Sequence, residues 1–328
     1  MSSLSKAIVK QVTARVFGCP TAKKLGGNPV TVFVWDEYVT KDDNRFEKLA
    51  QTCSWESVHV AMTNHHRPIF YFYMPSGERV SFCAHAAMGA SAVIVNNDNE
   101  QEKYKHTHHH FNFITEDPSI IVHTAKVDTQ PLRVELEMDC THFEEQLLNT
   151  TTQIDCLKQL VSQIGLEFHQ DVVHHSLYLP TCRNSTVARY KTLIPIVSLE
   201  KLHAAKNPNN SDKFRDLCDS INSTGLYLYC PMDSHSKTYE CRQFPRASGY
   251  PEDPATGIAA SALACSLRKL SHSSQSSTND CDIYQIYQGT AMGRRSLIEI
   301  KFENGIQQTA KLLCSGNVNI DSTKTLEY

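Results

Sequence analysis

The chain has 328 residues, a net charge of −3 and a hydrophobic fraction of 41%. This length allows one large domain or two of ordinary size, and the apolar content is sufficient for a buried core. Without a basic excess, nucleic acid and anionic membrane surfaces are poor candidates for the main partner.

The amino-terminal residues lack the apolar segment of a signal peptide, and no run of 18 apolar residues occurs. We therefore expect a soluble, cytoplasmic protein without a membrane span. The twelve cysteines are scattered without CxxC pairs. In a protein without an export signal they are expected to be reduced thiols.

Hydrophobic periodicity predicts more strands than helices. Strands are predicted at residues 8–17, 29–35, 57–62, 69–74, 120–123, 132–137, 187–194, 226–229, 284–287, 297–302 and 309–313. Helices are predicted at residues 42–53, 84–95, 155–164 and 254–267, with a polar insert at residues 96–110. Many strands with few helices favour an α+β architecture. We expect a first domain at residues 1–127, joined by the last strand of the chain, and a second at residues 128–328.

Two segments rich in small residues support this division. Residues 83–92 (CAHAAMGASA) and 253–262 (DPATGIAASA) align without gaps at an offset of 170, and each predicts a turn followed by a tightly packed helix. The amino end of a helix offers free N–H groups and a partial positive charge, which suit a carboxylate. Two such helix starts facing one cleft would hold a small anionic molecule.

Two carboxylates are candidates for chemistry. Glu56 lies beside Trp55 between a predicted helix and a predicted strand. A carboxyl group buried at such a junction becomes a weaker acid, as proton transfer near neutral pH requires. The local sequence alone favours the other interpretation, a glutamate at a helix end or on the surface. Asp253 precedes Pro254, so an N-cap followed by a first-turn proline fully explains it. A second role for Asp253 at the cleft stays open.

His85 and Cys83 lie at the start of the other small-residue helix. His85 could donate a hydrogen bond to substrate or transfer a proton, or it could be purely structural. Cys83 occupies the position that aligns with Asp253, and a thiol at a helix amino end can act as a nucleophile or base. A buried, inert cysteine is the alternative.

We expect no metal and no nucleotide cofactor. A histidine cluster at His106, His108, His109 and His110 lacks further ligands at the spacing of a zinc motif. The segment from Gly289 to Arg295 lacks the Gly-Lys-Ser/Thr ending of a phosphate loop, and no GxGxxG follows a strand.

Five ordered motifs resemble the PhzF-like family, named for the phenazine-biosynthesis isomerase. They are the opening strand with GGNP at residues 26–29, the segment of residues 50–60 that resembles the family's SET motif, the turn of residues 83–85, the YPEDPATG segment of residues 250–257, and the QG-x-x-x-GR motif of residues 288–294. The YPEDPATG segment is the most specific of these.

The resemblance implies the diaminopimelate-epimerase-like fold. That fold has two similar domains, each a curved, mostly antiparallel sheet wrapped around a central helix, with the active site between them, and its members are commonly homodimers. The family's isomerase uses no cofactor and transfers a proton at carbon on a small unsaturated amino acid. Carried to this chain, Glu56 is the general acid/base, and His85 and Asp253 bind or orient a small anionic substrate. The matching motifs imply further substrate contacts from Asn28, Cys83, Ala84, Thr256, Gly257, Gly293 and Arg294.

The chain also departs from the family's pattern. Trp55 stands where Ser usually precedes the catalytic Glu, Ala84 replaces a Gly, and Ile258 replaces a Ser that lines the family's site. Exchanging a hydroxyl for an apolar side chain changes polar recognition, which disfavours the phenazine precursor as the substrate. Two alternatives therefore stay open: a non-catalytic ligand- or protein-binding protein of the same fold, and a thiol-dependent epimerase that uses Cys83.

Overall fold

The computed structural model describes residues 8–22, 26–36, 43–62, 68–100, 108–115, 122–129, 131–138, 140–141, 143–174, 181–233, 236–274, 282–304 and 310–327. By its internal contacts the chain divides into two compact units. Unit 1 comprises Met1–Pro20, Gly27–Glu137 and Ser315–Tyr328, and unit 2 comprises Thr21–Gly26 and Met138–Cys314.

Unit 1 is built from strands around one long helix. Its elements are β1 (Ile8–Gly18), β2 (Asn28–Trp35), α1 (Asn44–Ala50), β3 (Ser57–Met62), β4 (Pro68–Tyr73), β5 (Arg79–Val80), α2 (Ala84–Glu100), β6 (His108–Thr115), β7 (Val122–Thr129), β8 (Leu132–Met138) and the second part of β16 (Ala310–Glu327). The strands follow the order β1-β2-β3-β4-β6-β7-β8, with β5 paired to β4 and β16 antiparallel to β1. Within this order β2–β3 and β4–β6 are parallel pairs.

Small side chains allow α2 to pack closely against β1, β2, β3 and β7. Residues 84–93 of this helix are buried on every side. A methyl group added at Gly89 would lie 2.6 Å from Val30 Cγ1, so nothing larger than glycine fits there without a shift. The helix therefore places its first turn inside the protein.

Unit 2 carries helices on both faces of its sheet. Its elements are β9 (Glu144–Leu147), α3 (Thr151–Gln163), α4 (Phe168–Asp171), β10 (Arg183–Thr186), β11 (Lys191–Pro195), α5 (Leu199–Ala204), α6 (Ser211–Ser220), β12 (Gly225–Pro231), β13 (Thr238–Pro245), α7 (Gly257–Ser274), β14 (Asp282–Gln288), β15 (Ser296–Asn304) and the start of β16. The strand order is β15-β14-β13-β12-β11-β10-β9, with β11–β12 and β13–β14 parallel.

Side-chain alternation separates the two faces of this sheet. Leu226, Leu228 and Phe244 lie in one apolar cluster with residues of α3, α5 and α6. The opposite face carries α7, whose Ser266 donates a hydrogen bond to Glu145 at β9. We call these the α5 face and the α7 face.

The predicted helices and strands required several corrections. Residues 96–100 continue α2 and residues 108–110 begin β6, so the polar insert predicted at residues 96–110 is wrong at both ends. Lys10 Nζ donates to Asn97 Oδ1 at 2.6 Å, which holds this polar helix end against β1. The strand predicted at residues 187–194 is wrong in its first half, since residues 187–190 connect β10 to β11 and only residues 191–194 belong to a strand. The helices α4, α5 and α6 were not predicted.

The predicted strand at residues 120–123 begins at Val122 in the structure, and residues 120 and 121 lie outside the described part of the chain. The eleven cysteines that the structure describes are free thiols. Among the helices in the described ranges, none is both long and apolar enough to cross a membrane.

One histidine is enclosed in an aromatic core of unit 1. His59 is fully buried and stacks on Phe33 and Phe46 with ring centroids 4.8 and 4.3 Å apart. Trp35 Nε1 donates to His59 Nδ1 at 3.1 Å, a contact that requires Nδ1 to be unprotonated. Burial lowers the pKa of His59 from 6.5 to about 3, so the imidazole is neutral in the native state at ordinary pH.

We therefore expect His59 to make the protein acid-sensitive. Between pH 6.5 and about 3 the unfolded chain binds a proton that the native imidazole excludes, because its folded-state pKa is depressed to about 3. The free energy of unfolding should fall by about 1.4 kcal/mol for each pH unit below 6.5, and this loss is absent above pH 6.5. Urea unfolding at pH 7.5 and pH 5 should show a smaller pH effect in His59→Gln than in the wild type. Replacement of the exposed His169 by Gln should leave the wild-type pH dependence in place, and equal pH effects in His59→Gln and the wild type would contradict the assignment.

Candidate functional site

Glu56 lies at the junction between α1 and β3, as predicted. Its backbone carbonyl accepts from Thr31 N at 3.1 Å, which ties the start of β3 to β2. The residue is 7% exposed, and Glu56 Oε2 lies 3.8 Å from His85 Nε2. The carboxylate is therefore fixed against an imidazole in the interior of unit 1.

The neighbours of His85 define its tautomer. His85 is the second residue of α2, and its Nδ1 lies 3.5 Å from Asn28 Nδ2 and 3.4 Å from Cys83 Sγ. An amide NH₂ and a thiol are both donors, so they favour Nδ1 as the acceptor. The proton of the neutral ring is then on Nε2, the nitrogen that faces the Glu56 carboxylate.

Local backbone geometry brings this cluster together. Gly27 has a φ of 102°, and an added Cβ would lie 2.8 Å from Val16 O, so the turn before β2 requires glycine. This turn places Asn28 as the first residue of β2. Cys83 O accepts from Ala87 N at 2.9 Å and so begins the hydrogen bonding of α2. A buried carboxylate, imidazole, amide and thiol thus meet at the start of one helix.

Asp253 forms a second cluster, in unit 2. Its Oδ2 accepts from Thr256 Oγ1 at 2.6 Å and its Oδ1 accepts from Ala255 N at 3.3 Å. Its backbone N–H donates to Gln243 O at 3.0 Å, an isolated bridge to β13. Each carboxylate oxygen of Asp253 therefore already accepts a hydrogen bond.

The predicted role of Asp253 as a helix N-cap is wrong. The helix α7 begins at Gly257, three residues beyond Pro254, and Thr256 O accepts the bond from Ala260 N at 3.0 Å. The bridge to β13 holds Asp253 in extended backbone, so the chain turns before it becomes helical. The residue directly before the helix is therefore Thr256 in unit 2 and Cys83 in unit 1.

Sequence reasoning missed Gln288, the residue that holds this second cluster together. Gln288 is fully buried, and its Nε2 donates to Asp253 O at 2.7 Å and to Thr256 Oγ1 at 3.1 Å. Its Oε1 accepts from Thr256 N at 3.1 Å and from Tyr227 Oη at 3.2 Å. The only signal in the sequence was its position at the start of the QG motif.

Most of the remaining predicted site residues lie near the start of α7. Gly257 is the first residue of α7, and the buried Ile258 follows it. A Cβ at Gly289 would lie 2.9 Å from Pro254 O, so the turn that contains Gly293 and Arg294 packs against the Asp253 segment. In unit 1, Ala84 is buried as the first residue of α2.

The histidine-rich segment is not gathered into a site in the described part of the chain. His106 lies outside the described residues, and His108–Thr115 form β6. Among the described residues, no group of three or more His, Cys, Asp or Glu side chains is arranged to hold a metal ion.

The fold resembles those of solved epimerase-like proteins. A phenazine biosynthesis protein of the PhzF family from Bacillus anthracis matches with a TM-score of 0.73 and 14% identity, over 97% of this chain and 99% of the other. A predicted epimerase from Pseudomonas aeruginosa matches with a TM-score of 0.70 and 17% identity, over 97% and 98%. A hydroxyproline epimerase from Agrobacterium vitis, with bound trans-4-hydroxy-L-proline, matches with a TM-score of 0.55 and 9% identity, over 98% and 92%.

The sequence itself places the chain in a family. The profile of the phenazine biosynthesis-like proteins matches residues 18–321, so the chain belongs to this family, and the predicted resemblance is confirmed. The mixed α/β architecture agrees with that of the PhzF-family and epimerase structures. Comparison with curated protein sequences gives no significant match.

The contacts of Gln288 lead to a stability prediction. Gln288→Leu keeps a similar volume but removes four hydrogen bonds and leaves buried partners such as Thr256 N without them. We expect it to lower the free energy of unfolding by about 2–4 kcal/mol. The matched change Gln285→Leu, at a half-buried position on the same strand, should alter it by less than about 0.5 kcal/mol. Urea denaturation measures both, and equal losses would show that Gln288 has no special role.

Proposed function

We propose that this protein is a cofactor-independent isomerase that transfers a proton at carbon on a small carboxylate-bearing substrate, with Glu56 as the general acid/base. The observation that supports this most directly is the buried pair of Glu56 and His85, whose facing atoms are 3.8 Å apart. We also propose that units 1 and 2 are the two domains of an epimerase-like fold, with α2 and α7 as their central helices.

In this proposal Glu56 removes a proton from one substrate carbon and returns it to another carbon of the same substrate, while the double bond between them shifts. The electron pair left by the proton is delocalised in the substrate, so no cofactor has to accept electrons. Because Glu56 is only 7% exposed, little water is present to compete for the proton. Glu56 Oε2 and His85 Nε2, 3.8 Å apart, are the two polar atoms that face each other in this pair.

His85 is proposed to bind and orient the substrate through Nε2–H. Asn28 and Cys83 lie against Nδ1 and hold the ring in the orientation that presents Nε2. Asp253 and Thr256 are also proposed to bind or orient the substrate, as the family resemblance implies. A hydroxyproline epimerase of similar fold carries a small amino acid with a carboxylate, which supports the same substrate class here.

The thiol of Cys83 supports a second candidate mechanism. Its Sγ lies 3.4 Å from His85 Nδ1, and an imidazole nitrogen at this distance can take a thiol proton. In this alternative Cys83 is the base that exchanges the proton with carbon. Glu56 then does not contact the reacting carbon and only supports His85.

The first prediction from this proposal concerns Glu56. The protein is incubated in D₂O with a panel of small amino and hydroxy acids that includes unsaturated cyclic ones, and mass spectrometry measures deuterium gained at carbon. Glu56→Gln should lower the rate of exchange by about 10²–10⁴-fold, the usual effect of losing a general acid/base. The exposed Glu78→Gln is the matched control and should exchange at the wild-type rate. Exchange that persists in Glu56→Gln would exclude the mechanism, and a ligand of the panel that binds without any exchange would favour the non-catalytic alternative.

The second prediction separates the carboxylate from the thiol. Cys83→Ala should retain exchange within about tenfold of the wild type, because in the proposed mechanism the thiol only supports the ring of His85. The thiol alternative instead predicts that iodoacetamide inactivates the wild type and that substrate protects it. A loss in Cys83→Ala as large as that in Glu56→Gln would identify the thiol as the base.

A further inference from the structure

A cavity of about 590 Å³ opens in unit 2 beside the turn that carries Asp253. Its lining includes Lys206, Arg242, Tyr250, Glu252, Met292 and Arg294. The volume is within the range of roughly 300–1,000 Å³ in which proteins bind small organic molecules. None of these side chains is used by the Glu56 and His85 cluster.

A buried ion pair forms one wall of the cavity. Arg242 and Glu252 have side chains that are each 6% exposed, and they are joined by two hydrogen bonds, Nε to Oε1 at 2.8 Å and Nη2 to Oε2 at 2.7 Å. Arg242 Nη1 also donates to Leu202 O and His203 O at the end of α5. Because these two charges neutralise each other, this wall is rigid and adds no net charge.

Two cations at the cavity have no such compensation. The ammonium group of Lys206 and the guanidinium of Arg294 make no ion pair or hydrogen bond with any residue that the structure describes. The cavity therefore carries an excess of about two positive charges. Tyr250, Pro251 and Met292 add aromatic and apolar surface beside these cations. A cationic cavity with an apolar wall suits an organic anion.

The cavity lies on the opposite face of the sheet from the Asp253 cluster. Arg242 and Gln243 are successive residues of β13, so their side chains point to opposite faces. Arg242 reaches the end of α5, whereas Gln288 and Tyr227, which hold the Asp253 segment, belong to the α7 face. A ligand beside Arg242 would therefore be distinct from one beside Asp253 and Thr256.

We propose that this cavity is a second binding site, for a small organic anion whose carboxylate or phosphate group contacts Lys206 and Arg294 and whose body lies against Tyr250 and Met292. The proposal does not rest on the proposed isomerase function. In this proposal Arg294 contacts a ligand on the α5 face, whereas the sequence alone predicted that it contacts the reacting substrate.

The test uses the complete chain and three probes of similar size: benzoate, phenyl phosphate and neutral benzamide. Calorimetric titration at constant ionic strength should show saturable binding of at least one anion and none of benzamide. The preferred anion identifies the head group. Lys206→Gln and Arg294→Gln should each weaken its binding by at least about tenfold, the usual effect of removing one charged contact.

Two further variants locate the binding. Lys213→Gln removes an exposed charge from α6 in the same unit, and Asp253→Asn changes the other face. Both should bind the anion within about twofold of the wild type, and thermal unfolding should verify that all four variants are folded. Three results would overturn the proposal: no saturation at millimolar anion, equal binding of benzamide, or binding that Asp253→Asn weakens and Lys206→Gln does not.

Discussion

Each unit is organised around a helix of small side chains that is buried at its start. Alanine, glycine and serine allow α2 to lie so close to β2 that a methyl group at Gly89 would overlap Val30. Such a helix begins in the interior, where its first amide groups cannot be hydrated. An unpaired amide in that position costs free energy comparable to a lost hydrogen bond, so polar side chains have to gather at the helix start. The burial of these helix starts therefore accounts for the polar groups at residues 83–85 and 253–257, whether or not those groups take part in catalysis.

The polar groups at the two helix starts are arranged differently. At α7 the groups are a fixed network, in which Gln288 bonds both Asp253 O and Thr256, and each oxygen of Asp253 accepts a bond from within its own turn. At α2 the groups are titratable, and Glu56 faces His85 at a distance longer than a hydrogen bond. The two clusters therefore differ in kind, because the bonds of Asp253 lie within its own turn whereas Glu56 faces an imidazole from a different element.

The sequence was informative where short-range patterns determine the structure. Small-residue helices, the GGNP turn and the position of Glu56 before a strand all depend on neighbours within a few residues. The start of α7 was mispredicted because Asp-Pro is a good local helix start, whereas here the bridge to Gln243 and the contacts of Gln288, 32 residues away, hold the segment in a turn. The role of Gln288 is invisible locally for the same reason. The pairing of Arg242 with Glu252 was likewise not predicted. Hydrophobic periodicity indicates which face of β13 a side chain lies on, but it does not identify the residue that the side chain contacts.

The turn before α7 connects the two faces of unit 2 through adjacent carboxylates. Glu252 pairs with Arg242 on the α5 face, and the next residue, Asp253, bonds Thr256 near the α7 face. Breaking one partner of a buried ion pair leaves an uncompensated charge, at a cost of about 3–5 kcal/mol. The pair therefore holds the backbone at Glu252, and because the peptide bond is planar it also limits where Asp253 can point. An anion beside Arg242 would contact the same turn that positions Asp253, so the two faces share one structural element even though their ligands would be separate.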